Sequence, residues 1–458
     1  MSHPLPTTPA HRANSDLPSA VSAAEERFIA ANPKSMRRAE EAARSLPGGN
    51  TRTVLHYTPF PVTIVSGEGA VLTDLDGHLY TDFLGEFTAG LYGHSNPILK
   101  KAISEALASG VVLGGPNPYE AQLSALICER FPSLDRVRFC NSGTEANLYA
   151  VSAARLFTGR DKVLVFRGGY HGGVFYFGEP LSPINAPFDF IVGRYNDIDG
   201  TGKLIEKEGK ALAAILVEPM LGSGGAIPAR RDFLQMLRDK AEQHGIVLIF
   251  DEVMTSRLAP GGLQEHHEVT PHMTALGKYL GGGMTFGAFG GRQDIMRRFN
   301  PYEADAVSHA GTFNNNVLSM AAGLTGLRDI YTPEAAQGLN AIGESLKADI
   351  NRRAKKHGIP FQVTGTGSIL AFHFQSGAIA CAEDTWPHSA AERERLEGLR
   401  KLLHLDLLSA GFYVARRGFL SLSLPLTEDD YRAFADAVEE FMVVREPILS
   451  ADAATVQI

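Results

Sequence analysis

The chain predicts an α/β fold: a large domain with a mostly parallel sheet sandwiched by helices, plus a smaller α+β domain drawn from both chain ends. Three observations carry this. Between Glu145 and Phe250, short apolar runs alternate with amphipathic stretches, as strands buried on both faces and joined by helices do. From about Ala335 that alternation lapses. A chain of 458 residues also exceeds what one compact core organises.

The elements follow in order. Residues 1–21, rich in Pro, Ser, Thr and Ala without an apolar run, read as a disordered arm and not a secretory signal. Residues 22–84 supply the first part of the small domain. Ser22 to Ser45 is helical, interrupted at Asn32-Pro33 and closed by Leu46-Pro-Gly-Gly49. Pro61–Val65, Ala70–Asp74 and His78–Asp82 then read as an antiparallel meander with Ser-Gly and Asp-Gly turns. Residues 85–334 form the large domain. Its helix Glu145 to Phe157 closes at Gly159, and Lys162–Phe166, Ala214–Glu218 and Ile246–Phe250 are strands. Arg231 to His244 is a helix whose apolar face is Phe233, Leu234, Leu237 and Ala241. Residues 335–458 complete the small domain. They hold helices at 335–357 and 388–410, strands Ser368–Phe374, Phe412–Ala415 and Phe419–Leu424, and a last helix capped near Thr427.

Composition narrows the function. The net charge of −8 provides no basic field for nucleic acid. No apolar run approaches the roughly 20 residues a membrane span needs. Cys128, Cys140 and Cys381 make no disulfide framework and point to a reducing, cytoplasmic setting.

Chemistry concentrates in the large domain. The strand ending at Phe250 delivers Asp251, and Lys278 follows in the glycine-flanked run Thr274-Ala-Leu-Gly-Lys-Tyr-Leu-Gly-Gly-Gly283. An acid at a strand end and a lysine in such a loop suit a pyridoxal phosphate site. The lysine amine would bond the aldehyde, and the carboxylate would keep the ring nitrogen protonated. Each alone also reads as a helix cap or a solvated surface charge. Ser142, Gly143 and Thr144 open a helix and offer backbone N–H groups to a phosphate, or simply cap that helix. Tyr170, in Gly168-Gly-Tyr-His-Gly-Gly173, could lie on a planar ring or merely pack, and His171 reads as a hydrogen-bonded structural histidine. In His309-Ala-Gly-Thr-Phe-Asn-Asn-Asn316, Thr312 could bind phosphate and the asparagines could cap the next helix. His266, His267 and His272 lack ligand spacing and read as a solvated loop, so no metal is expected.

Taken together these segments resemble the class III (subgroup II) pyridoxal-phosphate aminotransferases of fold type I. Asn-Ser-Gly-Thr-Glu-Ala at 141–146, Gly-Tyr-His-Gly at 169–172, Val-Glu-Pro at 217–219, Asp-Glu-Val-Met-Thr at 251–255 and Leu-Gly-Lys at 276–278 stand in the family's order, from about Pro33 onward. Within the class the chain is similar to the branch of glutamate-1-semialdehyde aminomutase. It is more similar still to bacterial β-phenylalanine aminotransferases, through Ser-Arg-Leu-Ala-Pro at 256–260 and Arg-Gly-Phe at 417–419. The resemblance implies Lys278 and Asp251 as catalytic residues. It also implies phosphate held by Ser142, Gly143 and Thr144, stacking by Tyr170, support from Glu218, and Thr312 completing the neighbouring subunit's phosphate site in a homodimer. Ser256-Arg257 departs from the Gly-Phe-Arg of many class III enzymes, which leaves the role of Arg257 open.

Two arginines bear on the substrate. A guanidinium clamps a carboxylate with two parallel hydrogen bonds, which lysine cannot reproduce. The resemblance implies that Arg52 and Arg417 do so, taking a β-amino acid and an α-keto acid such as 2-oxoglutarate or pyruvate in turn. Either could equally form a surface salt bridge, and Arg416 lies adjacent. The expected activity is ping-pong transamination with Lys278 as general base. The alternatives are an intramolecular amine shift of the aminomutase kind and a non-catalytic module that only binds cofactor or ligand.

Overall fold

The computed structural model describes residues 16–451. The first helix, Leu17–Ala31, begins inside the segment expected to be an arm, capped by Asp16 accepting from the Ser19 amide at 2.9 Å. Residues 17–21 are helical because Ala20, Ala24 and Phe28 are buried against the small-domain core. The rest of the expected arm lies outside the described residues. Pro33 opens the second helix, Pro33–Ala42, at a position where its missing N–H has no partner to lose.

Three strands follow: β1 (Ile64–Glu68), β2 (Val71–Asp74) and β3 (Leu79–Asp82), an antiparallel meander. The first lies later than the expected Pro61–Val65, since a proline there cannot donate to a ladder.

The large sheet contains β4 (Arg136–Cys140), β5 (Lys162–Phe166), β6 (Asp189–Gly193) and β7 (Leu212–Val217). A short hairpin of β8 (Met220–Leu221) and β9 (Ile227–Pro228) stands apart from it. The sheet resumes with β10 (Val247–Asp251), β11 (Met273–Gly277) and β12 (Gly287–Gly291). Spatial order is β4-β12-β11-β10-β7-β5-β6, parallel throughout except for β12, which is antiparallel to both neighbours.

Alternate residues of β10 serve opposite layers. Val247 and Ile249 pack with Ala146 and Ala150 of the helix Gly143–Thr158. Leu248 and Phe250 pack with Phe233 and Leu234 of the helix Arg231–His244. Each buried Val, Leu, Ile or Phe among these contributes roughly 1.5–3 kcal/mol. Because the strands are parallel, one end of the sheet receives the residues after β4, β5, β7 and β11 together with the last residue of β10. That end therefore collects Ser142, Tyr170, Glu218, Lys278 and Asp251.

The chain then returns to the small domain. After the helix Pro333–His357 come β13 (Gln362–Thr366) and β14 (Ile369–His373). The helix Ala390–Ser409 follows, then β15 (Phe412–Tyr413), β16 (Phe419–Ser421) and the helix Glu428–Val444. Thr427 and Asp430 form a reciprocal cap at the start of that last helix. β13-β14-β16 make one sheet, while β15 joins β3 in parallel, so both chain ends meet in one lobe.

Candidate active site

Asp251 is buried, and three hydrogen bonds hold its carboxylate. Oδ2 accepts from His171 Nδ1 and Asn147 Nδ2, each at 2.8 Å, and Oδ1 accepts from the Val253 amide at 3.0 Å. His171 is the hydrogen-bonded histidine its loop suggested. Asn147 was not legible as a site residue, although it sits one turn beyond Gly143 on the inner face of the same helix, where it also donates to the Gly143 carbonyl.

At that helix's N-terminus Ser142 is the cap, its Oγ accepting from the Glu145 amide at 3.2 Å, while Glu145 accepts from the Asn141 amide at 2.8 Å. Capping thus serves Glu145 and, among the described residues, leaves the amides of Gly143 and Thr144 to an outside acceptor. Gly143 packs so close to Val253 that a methyl group would lie 2.7 Å from it. The turn Gly168–Gly173 closes over this end, with the Gly173 amide donating to Thr144 Oγ1 at 3.3 Å.

Tyr170, half exposed, is fixed through its backbone. Its amide donates to Glu218 Oε1 at 2.9 Å, and its ring meets Tyr176 edge-on at 5.9 Å. The other oxygen of Glu218 accepts from the Gly222 amide at 2.9 Å. Burial pushes the Glu218 carboxyl up to about 7, with Asp251 adding to the rise and His171 opposing it. Glu218 therefore ties the Tyr170 turn to the Gly222–Gly225 loop.

Lys278 directly follows β11 with φ +57°, a left-handed conformation that costs a non-glycine residue about 1 kcal/mol or more. Burial pushes its amine down to about 8; Arg52 and Arg417 reinforce this, and Glu86 and Asp251 oppose it. The lysine thus lies within electrostatic reach of the acid and of both arginines read from the sequence.

The arginines share one aromatic platform. The Arg52 guanidinium lies 5.7 Å from the ring centre of Phe87, and that of Arg417 lies 5.4 Å from it. Arg52 is ion-paired with Glu86, and Arg417 Nη1 donates to Ser223 Oγ at 2.8 Å. Arg416 instead pairs with Glu397 on the helix Ala390–Ser409, which separates the roles of the two adjacent arginines. Arg417 borders a cavity of about 210 Å³ that also touches Tyr176, Ser223, Trp386, Arg400 and Phe419. Glu86, Phe87 and Ser223 were missed, because nothing in their local sequence marks them as facing a site.

Thr312 is exposed, and the structure does not bring it to the other site residues. Its segment meets the site through Asn314 Oδ1, which accepts from Asn141 Nδ2 at 3.0 Å. The histidines depart from the expected solvated loop. His266 and His267 end the helix Gly262–His267. His272 is buried, with Nδ1 accepting from the Leu248 amide at 2.8 Å. Among the described residues no cluster of potential metal ligands forms.

The family model for class III aminotransferases matches residues 54–177 and 196–400. The chain is 51% identical to a beta-phenylalanine transaminase of Variovorax paradoxus over 423 residues, 92% of this chain and 96% of that protein. A glutamate-1-semialdehyde 2,1-aminomutase of Brevibacillus brevis is 38% identical, over 74% of this chain and 83% of its own length. The crystal structure of a beta-phenylalanine aminotransferase from Variovorax paradoxus superposes with a TM-score of 0.91 at 49% identity, covering 94% of this chain and 98% of that one.

The residues present fit the cofactor this family uses. A carboxylate offers about four acceptor directions. Asp251 spends three, keeping one for a protonated ring nitrogen. The free amides at Gly143 and Thr144 suit a phosphate dianion, and Lys278 supplies an amine of depressed basicity. The chain belongs to the class III aminotransferases, pyridoxal-phosphate-dependent enzymes of fold type I.

Proposed function

We propose that this enzyme moves the amino group of a β-amino acid, such as β-phenylalanine, to an α-keto acid such as 2-oxoglutarate or pyruvate, in two half-reactions at one site. The observation that carries this is the pair Arg52 and Arg417, set over the same Phe87 ring within electrostatic reach of Lys278. Two guanidiniums let one site hold a donor carboxylate and then an acceptor carboxylate. The identity to a beta-phenylalanine transaminase supports the same substrate class.

Pyridoxal phosphate, when bound, supplies an electron-withdrawing ring beside the substrate's amine-bearing carbon. Lys278 would hold the cofactor's aldehyde through Nζ and, once freed by substrate amine, would take the proton from that carbon. Asp251 would keep the ring nitrogen protonated, with His171 and Asn147 fixing its oxygens. Ser142, Gly143 and Thr144 would hold the phosphate, and Tyr170, set by Glu218, would cover the ring. In a homodimer Thr312, exposed beside the 58% exposed Phe313, would reach the phosphate of the second subunit. Among the described residues no helix is long and apolar enough to cross a membrane, and the three cysteines are free, which supports a cytoplasmic setting.

An anaerobic half-reaction tests the proposal. Without keto acid, β-amino acids should remove the visible absorbance of the bound cofactor, and 2-oxoglutarate or pyruvate should restore it. Reaction with α-amino acids alone would overturn the substrate assignment. Isomerisation of a single substrate with no keto acid added would favour the aminomutase reading.

A further inference from the structure

Arg257 is fully buried, yet no carboxylate pairs with it among the described residues. Nε donates to Ser368 Oγ at 3.1 Å, and Nη1 donates to Ser421 Oγ at 3.0 Å and to the Thr88 carbonyl at 3.5 Å. Nη2 donates to the Leu422 carbonyl. A guanidinium stays charged in a protein, so burying it against neutral acceptors carries a desolvation cost that its hydrogen bonds must offset. Its own backbone is fixed as well. The Arg257 carbonyl accepts from Tyr331 Oη at 2.6 Å and from Asn340 Nδ2 at 2.9 Å.

Two of these acceptors, Thr88 and Ser421, lie on segments beside the substrate arginines, while Ser368 stands just before β14 and Leu422 just after Ser421. Thr88 ends the turn Gly85–Thr88, where φ is +52°, +45°, +52° and +82° in succession. Three of those residues carry side chains, and each pays for the left-handed conformation. The start of the turn is held by Asp82 Oδ1, which accepts from the amides of Leu84 and Gly85 at 2.8 and 3.0 Å. Its end meets Arg257. The turn delivers Glu86 to Arg52 and stacks the Phe87 ring on Phe419 at 5.8 Å. Arg417 lies over both rings, 5.4 Å from Phe87 and 5.5 Å from Phe419. Ser421, another acceptor of Arg257, ends the strand that carries Phe419.

We infer that Arg257 is a positioning residue for the substrate site. It binds the turn Gly85–Thr88 to the strand Phe419–Ser421 and so sets the spacing between Arg52 and Arg417. The inference rests on the reading of those two arginines as carboxylate binders. It also links the two halves of the site, because Arg257 lies six residues beyond Asp251, on the segment that leaves the cofactor strand. A lysine keeps the charge but not the planar fork that reaches both segments at once.

The test compares holoenzyme variants with 3-amino-3-phenylpropanoate as donor and 3-phenylpropanoate as a competitive inhibitor lacking the amine. Arg257→Lys should raise both KM and Ki by about tenfold or more, as displaced positioning groups do. The kcat should fall by less than KM rises. Ser421→Ala, which removes one acceptor and keeps the charge, should raise both constants by about threefold. It decides the matter if the lysine variant does not fold. A fall in kcat with KM and Ki unmoved in both variants would overturn the positioning role. Arg52→Ala and Arg417→Ala run in parallel: if neither moves KM or Ki, the carboxylate reading fails and the inference falls with it. If they do and the Arg257 and Ser421 variants do not, only the inference falls.

Discussion

Arg52 is ion-paired with Glu86, so the guanidinium assigned to a substrate carboxylate already holds a carboxylate of the protein. On the carboxylate-binding reading, an incoming acid competes with it for the guanidinium. Both side chains are substantially exposed, and such pairs contribute about 1 kcal/mol at most. Glu86→Gln should therefore lower the KM of carboxylate substrates by up to about fivefold. Steady-state kinetics at low ionic strength would register this, and an increase in KM would contradict it.

Lys278→Ala should abolish multiple turnover, because the base and the covalent tether are the same amine. Asp251→Asn should retain cofactor but lose at least about a hundredfold in kcat, the scale of a lost proton-handling group. Cofactor content by absorbance, measured beside kcat, separates the two outcomes. A Lys278→Ala enzyme that still turns over repeatedly would refute the assignment.

Cofactor capture by the apoenzyme should depend on pH. A lysine amine reacts when neutral, and burial lowers this one to about 8. The capture rate should rise through about pH 8 and then level off. Arg52→Ala, which removes a repelling charge, should move the midpoint upward, and Glu86→Gln should move it downward. The folded state binds fewer protons here than the unfolded chain between about 8 and the usual lysine value, so this group's stability penalty relaxes as pH rises through that window. Stopped-flow mixing of apoenzyme with cofactor would measure the midpoints.

Glu218→Gln should cost about 1–3 kcal/mol, because the amide can accept from only one of Tyr170 and Gly222 and leaves a buried N–H without its acceptor. Denaturant unfolding of the apoenzyme would give the value. The same variant should raise KM, since the Gly222 loop carries Ser223 and hence one hydrogen bond to Arg417. An unchanged unfolding midpoint would show that the two amides do not depend on Glu218.

The cofactor end of the site was legible in the sequence because its parts are local. A strand delivers Asp251, a helix start presents Ser142 to Thr144, and a glycine-flanked turn holds Lys278. Strands β4, β6, β11 and β12 are not legible in it. Of the last two, the first lies in the run that reads as a glycine-flanked loop around Lys278. The second is Gly-Ala-Phe-Gly-Gly, a poor strand former used where backbones close in, since a side chain at Gly287 would lie 2.8 Å from Cys140 Sγ. Asn147, Glu86, Phe87 and Ser223 escaped for a different reason. Their roles come from contacts with residues distant in sequence, which no local pattern encodes. Arg257 stood out only as a deviation from a family motif, because its acceptors Thr88, Ser368, Ser421 and Leu422 are all distant in sequence.

The route of the chain through its two lobes sets an order in time. Every strand of the large sheet lies between Arg136 and Gly291, so Ser142–Thr144, Asp251 and Lys278 leave the ribosome as one continuous stretch. Arg417 and the strand beneath it come about 140 residues later, on the order of ten to thirty seconds of synthesis. Arg52 is made first of all, yet its platform shares Phe87 with Arg417 and stacks on Phe419. On the proposed reading, the residues that would hold the cofactor are thus synthesised well before Arg417, one of the two that would select the substrate.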